Sequence, residues 1–250
     1  MKPTDRALSI FEAFGRAARP LTLSELADAA GLPISTSHGI VHTLVERGYL
    51  YLTSKRKDLY PTRRLFDLAT RINANDPYLE RLNPYLEALR ETTQETVIIG
   101  KRQHDEIVYL AVHEGPQMIR YSSSAGSIKP LHSTSIGKAL LSKLPDDALR
   151  AWADMQSLSP ITSTTLTQTD ALIEDVAQGR KAGFFVTRGE SVSDVFAIAV
   201  PVSINNDVLG IAVAGPAHRM DPNINEIGRK LLAAKASIEM GQHRKTDEVT

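Results

Sequence analysis

Cysteine is absent from all 250 residues. That excludes disulfides, thiolate metal sites and cysteine nucleophiles, and it fits a reducing compartment. Net charge is absent too: 29 Lys and Arg balance 29 Asp and Glu. No chain-wide field therefore points to nucleic acid or to a membrane. No stretch approaches the ~20 apolar residues of a membrane span. The opening MKPTDRALSIFEAF carries Asp5, Arg6 and Glu12 inside its apolar run, which speaks against a signal peptide. A cytoplasmic location without a membrane partner is expected. Catalytic signatures are missing as well. There is no Gly-x-Ser-x-Gly elbow and no His-Glu-x-x-His, and the seven histidines show no ligand spacing. Gly137-Lys138 looks superficially like a phosphate loop, but His132 stands where that loop needs glycine, and Ala139 where it needs Ser or Thr. His132 with Ser133 or Ser135 would be a nucleophile–base pair without an orienting third group. No cofactor, metal or enzymatic activity is expected.

The neutrality is unevenly spread. Residues 1–72 hold 11 Lys and Arg against 7 Asp and Glu, a net of +4, and the remainder holds 18 against 22, a net of −4. A mildly basic head on a mildly acidic body suggests two domains with different partners.

In the head, Leu8, Ile10, Phe11 and Phe14 share one face of a first helix, with Thr4 or Asp5 as its cap. Thr22-Leu-Ser-Glu25 reads as a capping box opening a second helix, which Gly31 ends. A third helix starts at Pro33 and Ser35 and runs to about Arg47, burying Ile40, Val41, Leu44 and Val45. Tyr49–Leu52 and Leu59–Pro61 read as strands around the charged turn Thr53–Asp58. Three helices and a basic-tipped hairpin make a winged helix-turn-helix over residues 1–62. A helical linker over 63–76 follows, and Asp76-Pro77 restarts a helix that Asn83-Pro84 interrupts or kinks.

From residue 77 the pattern alternates. Strands are expected at Thr96–Lys101, Glu106–His113, Met118–Ser122, Phe184–Thr187, Phe196–Ser203 and Val208–Ala214. Gln103-His-Asp and Asn205-Asn-Asp supply hairpin turns, and helices fall at Ser135–Ser142, Asp146–Met155, Asp170–Lys181 and Pro222–Gly241. Strands in succession, then helices, then strands give an α+β fold with a largely antiparallel sheet.

The third helix begins with short polar residues. Ser35, Thr36, Ser37, His38 and His42 are its polar positions once the apolar face is buried. Hydroxyls at a helix start suit close approach to base edges and phosphates in a major groove. Lys55, Arg56 and Lys57 at the wing tip are placed to clamp flanking phosphates, and Thr22 joins the same DNA-facing set. Gly39 is awkward inside a helix, where it costs about 1 kcal/mol relative to Ala. It permits either a close approach to DNA or a kink. From these residues alone two other readings stay open: a ligand-sensing interaction module that never touches DNA, and a small-molecule hydrolase with a DNA-like head.

The segment LTLSELADAAGLPISTSHGIVHTLVERGYL resembles the winged helix of the IclR family of bacterial transcriptional regulators. KPLHSTSIGKALLS is similar to that family's effector-domain signature, and GFFVTRGESVSDVFAIAVPV with VLGIAVAGPAHR is similar to its closing strands. The resemblance runs from about Thr4 to Gly241. It implies a GAF-like α/β effector domain over 77–250, a homodimer or homotetramer, double-stranded operator DNA as one partner, and a small organic effector, a carboxylate or aromatic compound and an anion by preference. The positions matching the family's pocket are Met118, Tyr121, Lys129, Ser135, Ile136, Thr187, Arg188, Glu190 and Ala197. Among these, Lys129 or Arg188 would supply a countercharge. The chain departs from the family at Gly39, where an arginine is common, and at Asp194, where a glycine is common. An acidic residue often found near Thr187 or Arg188 is also missing.

Overall fold

The computed structural model describes residues 2–53, 58–76, 78–204 and 206–246. The chain divides into two compact units, Met1–Asp76 and Pro77–Thr250.

The first unit contains α1 (Pro3–Ala17), α2 (Leu23–Ala30), α3 (Ile34–Glu46), β1 (Leu50–Leu52), β2 (Leu59–Pro61) and α4 (Arg64–Asn73). Ile10, Ala13 and Phe14 of α1 meet Leu26, Leu32, Val41, Leu50 and Leu59 in one small core. Neither Thr4 nor Asp5 caps α1. Pro3 takes the first helical position, where its missing donor costs nothing, and Asp5 accepts from the backbone N–H of Lys2 at 2.9 Å. The capping box of α2 is present. Thr22 Oγ1 accepts from the Glu25 N–H at 3.3 Å, and Glu25 Oε2 accepts from the Thr22 N–H at 2.8 Å. The Glu25 carboxyl is held down at about 2 by that Thr22 N–H first, then by Arg19. Gly31 closes the helix at φ 65. α3 begins one residue earlier than Ser35. Pro33 stands at its cap position and accepts from the Ser37 N–H at 2.9 Å, so Ser35 is not the cap. β1 and β2 pair antiparallel, Leu50 opposite Pro61 and Leu52 opposite Leu59. The expected wing tip, Lys55, Arg56 and Lys57, lies outside the described residues.

The second unit is a six-stranded antiparallel sheet with helices on both faces. Its strands are β3 (Thr96–Gln103), β4 (Glu106–His113), β5 (Ile128–Pro130), β6 (Phe185–Arg188), β7 (Val195–Ile204) and β8 (Asp207–Pro216). They lie in the order β5-β4-β3-β8-β7-β6. α5 (Leu79–Thr93) and α10 (Ile224–Thr246) cover one face, whereas α6 (Ser135–Leu141), α7 (Asp146–Met155) and α8 (Thr169–Ala182) cover the other. A four-residue helix, α9 (Ala217–Met220), and a 3-10 turn over Asp221–Asn223 lead into α10. Pro84 does not interrupt α5. It is exposed in the first half of the helix, and Leu82, Leu86 and Leu89 anchor the turns around it in the core.

The two faces of the sheet differ in side-chain size, because alternate residues of a strand point to opposite sides. Toward α5 and α10 the strands send Val97 and Ile99, Ile198 and Val200, and Ile211 and Val213. Toward α6 the outer strands send Ile107, Tyr109 and Phe185 and β3 sends Ile98, but the middle of β7 and β8 sends small residues: Ala197 and Ala199 from β7, Ala212 and Ala214 from β8. Branched side chains fill the first face. Methyl groups leave space on the second.

Met118–Ser122 is irregular rather than a strand. Its backbone groups are met by side chains instead of a neighbouring strand: Arg219 donates to the Ile119 carbonyl at 2.9 Å and Thr96 to that of Tyr121. The edge strand is instead β5, which pairs Ile107 with Lys129.

Candidate functional site

On α3 the polar residues separate by helical geometry. Ser35, His38 and His42 are exposed, and Thr36 is half-buried. Ser37 is fully buried, one turn before Val41 on the core face, so it is not available to DNA. Its hydroxyl has no hydrogen-bond partner among the described residues. The His38 and His42 rings lie near-parallel, 6.5 Å apart, and His42 Nδ1 is 3.4 Å from Glu46 Oε2. Thr22 is half-buried, and its hydroxyl is engaged in the α2 cap.

In the second unit the row of small residues forms the floor of a cavity. It is narrow, about 410 Å³ when all the open space out to its mouth is counted. Ala197, Ala212 and Ala214 make the floor and Ile98 one flank. The roof is the start of α6, where Thr134 caps the helix by accepting from the Gly137 N–H at 3.1 Å. The first helical bond runs from Lys138 N–H to the Thr134 carbonyl, so the amides of Ser135 and Ile136 precede the ladder. Ile136 seats the roof on the sheet: a Cβ added at Gly210 would meet its side chain at 2.6 Å. Tyr109 and Tyr121 line one end, and burial, then the nearby Tyr121, pushes the Tyr109 phenol above its ordinary range. Thr187, Ser191, Val192 and Val195 close the other end.

Of the nine positions expected here, Tyr121, Ser135, Ile136, Thr187 and Ala197 line the cavity. Four do not. Met118 is 98% exposed on the irregular segment. Lys129 sits half-exposed on the edge strand β5. Arg188 follows Thr187 by one residue, so strand alternation turns it away, to within 3.9 Å of Asp221. Glu190 is buried but faces elsewhere. Its Oε1 accepts from Lys138 Nζ at 2.7 Å, and that same nitrogen lies 2.8 Å from Asp175 Oδ2. No lysine or arginine lines the cavity among the described residues, so the expected countercharge is absent. Sequence reasoning missed Ile98, Tyr109, Thr134, Ser191, Val192, Val195, Ala212 and Ala214. The signal for several of them was there: alanine alternates with branched residues in both AIAV and IAVA.

Lys138 is fully buried. Three threonines fix the segment that it grips: Thr164 donates to the Arg188 carbonyl at 3.1 Å, Thr162 to that of Gly189 and Thr165 to that of Glu190, both at 2.7 Å. Gly189, at φ 74, turns the chain so that Glu190 reaches inward while Ser191 and Val192 face the cavity. His132 and Ser133 form no nucleophile–base pair. His132 Nε2 is spent on the Ser159 carbonyl at 3.1 Å, and Ser133 Oγ is buried without a partner among the described residues.

Sequence profiles assign both units. The profile described as "IclR helix-turn-helix domain" matches residues 3–53, and "Bacterial transcriptional regulator IclR C-terminal" matches residues 75–240. The chain belongs to the IclR family. The HTH-type transcriptional regulator BhcR of Paracoccus denitrificans is 30% identical over 251 residues, covering 99% of this chain and 89% of that protein. The crystal structure of Thermotoga maritima IclR superposes with a TM-score of 0.81 at 24% identity, covering 94% of this chain and 96% of that one. An IclR homologue from Microbacterium hydrocarbonoxydans, solved in complex with 4-hydroxybenzoate, superposes with a TM-score of 0.73 at 21% identity, covering 97% and 100%. This IclR-family chain is therefore a transcriptional regulator, with a helix-turn-helix DNA-binding unit and an IclR-type ligand-binding unit. Among its described residues no helix is long and apolar enough to cross a membrane.

Proposed function

We propose that the chain senses a small aromatic or carboxylate effector and adjusts its hold on operator DNA accordingly. Residues 1–62 act as the DNA-binding domain, 63–76 as a linker and 77–250 as the effector domain, in a homodimer or homotetramer. The observation that carries the effector reading is the alanine-floored cavity walled by hydroxyls. A flat apolar body lies against Ala197, Ala212 and Ala214, and its polar end is met by Thr134, Ser135, Thr187 or the Tyr109–Tyr121 pair. With no lining cation, one weakly solvated carboxylate or phenol is accommodated and a multiply charged anion is not. The homologue bound to 4-hydroxybenzoate supports an aromatic carboxylate. Thermal melts of the full chain against a panel of benzoates and short carboxylates test this. A ligand at 100 times its Kd stabilises by about 2.7 kcal/mol, and Ala197→Leu, which fills the floor, abolishes the shift. If no compound shifts the wild type, or if Ala197→Leu responds equally, the reading is wrong.

On the DNA side, Ser35, Thr36, His38 and His42 face the bases while Lys55, Arg56 and Lys57 hold phosphates. Replacing those three cations with Ala weakens binding to every duplex and lowers the slope of log K against log salt by about three. An unchanged slope removes the wing from the interface. The absence of any salt-dependent binding by the wild type would favour the interaction-module reading instead.

A further inference from the structure

The outward face of α3 poses a problem of reach. Between Ile34 and Glu46 the helix has neither lysine nor arginine. Those are the side chains that span the gap to guanine O6 and N7 in a major groove. A face built from Ser35, His38 and His42 reads bases only if the helix backbone comes closer.

Gly39 sits on that face, in the middle of the helix and exposed. Nothing among the described residues requires a glycine there. A Cβ built on it meets no heavy atom within 4 Å, and its φ is not in the left-handed region. Alanine fits equally well and is worth about 1 kcal/mol more in a helix. α3 runs unbroken through Gly39, from Ile34 to Glu46. The reason for the glycine therefore lies outside the polypeptide. Its chemistry is also restricted. A mid-helix N–H is spent in the ladder, and the Gly39 carbonyl additionally accepts from Thr43 Oγ1 at 3.1 Å. What remains to face outward is the bare Cα, an apolar surface. The apolar group displayed in the major groove is the C5-methyl of thymine.

We propose that Gly39 is a specificity-determining position of this regulator: the methyl of a thymine packs directly on its Cα, within a half-site that α3 reads without a guanine-directed cation. The proposal rests on the DNA-binding reading of α3 and adds the base and the contact point.

The test uses the full chain and a duplex enriched by the wild type from a random pool. Thymines of that duplex are replaced one at a time by deoxyuridine, which removes only the methyl. One position per half-site is expected to weaken wild-type binding by about fourfold, the worth of one buried methyl. Gly39→Ala is expected to melt higher than the wild type, yet to bind the enriched duplex about tenfold more weakly, since a Cβ holds the groove off. It is also expected to lose its sensitivity to deoxyuridine at that position. A general weakening of the fold cannot produce this combination. Equal binding by Gly39→Ala overturns the proposal while leaving DNA binding intact, as does indifference of the wild type to every deoxyuridine. Failure of the wild type to enrich any duplex overturns the DNA reading of α3 along with it.

Discussion

Replacing Lys138 with Met lowers the stability of the second unit by about 3–5 kcal/mol, the usual cost of removing one partner from a buried ion pair. Lys138 is completely buried, and its ammonium holds Glu190 at 2.7 Å and Asp175 at 2.8 Å. Methionine fills the volume but leaves two carboxylates facing one another. Asp175 is partly exposed and turns to water, whereas Glu190 has only 8% of its side chain exposed and cannot. The loss is pH-dependent, with a definite sign. In the wild type, burial raises the Glu190 carboxyl above its ordinary value and Lys138 pulls it back down. Without Lys138, burial and Asp175 both raise it. A carboxyl raised in the folded state contributes stability below its unfolded pKa and loses it as pH rises through the folded one. The gap between wild type and Lys138→Met therefore narrows as pH falls toward the unfolded carboxyl range of about 4.3 and widens as pH rises above it. Adding Glu190→Gln to Lys138→Met recovers much of the loss at the higher pH, because a neutral amide no longer needs a counter-ion. Urea unfolding followed by fluorescence measures all of this. Trp152, the one tryptophan, is buried in the same core cluster as α6. A loss below about 1 kcal/mol, independent of pH, would show that the triad behaves like a surface pair.

Lys138 also marks the boundary of what the sequence disclosed. Periodicity and caps located the winged helix, because those signals are local: the Thr22–Glu25 box and the stop at Gly31 are written within a few residues. Most of the strands and helices of the second unit were located in the same way. Met118–Ser122 was misread because its apolar residues look strand-like while their backbone partners, Arg219 and Thr96, lie far away in sequence. The same limit applies to the site. Ser135, Ile136 and Thr187 were found through resemblance, but the family's positions carry no information on direction. Resemblance sets Arg188 and Glu190 in the pocket, Arg188 as a countercharge, but strand alternation and the turn at Gly189 send both elsewhere. Ser37 belongs to a polar run in the sequence, although its spacing of four from Val41 places it on the core face. The alanine floor was readable as alternation, but only pairing β7 with β8 sets Ala197 beside Ala214 and turns two patterns into one cavity.

Gly137→Ala has the opposite outcome to Gly39→Ala, and the contrast isolates what each glycine does. Both interrupt a helix with a residue that costs about 1 kcal/mol relative to Ala, so from sequence alone alanine should help at either site. At Gly137, however, an added Cβ would lie 2.0 Å from the Leu131 carbonyl oxygen and 2.5 Å from the Leu131 carbonyl carbon and Cα. These are backbone atoms, and no side chain can swing aside to make room. α6 has to lift from the segment that precedes it. Lifting it withdraws Ile136 from the bare backbone at Gly100 and Gly210, opens the cavity roof and stretches the Lys138–Glu190 contact. Overpacking of this kind costs about 3 kcal/mol or more, and about 6–12 °C in Tm for a unit of this size. Because the same residues roof the pocket, the effector-induced shift disappears with it. Thermal melts of the full chain, followed at Trp152, with and without the effector identified by the ligand panel, decide the matter. If Gly137→Ala melts within a degree or two of the wild type, about the scatter expected of a neutral surface change, then α6 does not pack on residue 131 in solution. The roof of the proposed effector site would then have to be sought elsewhere.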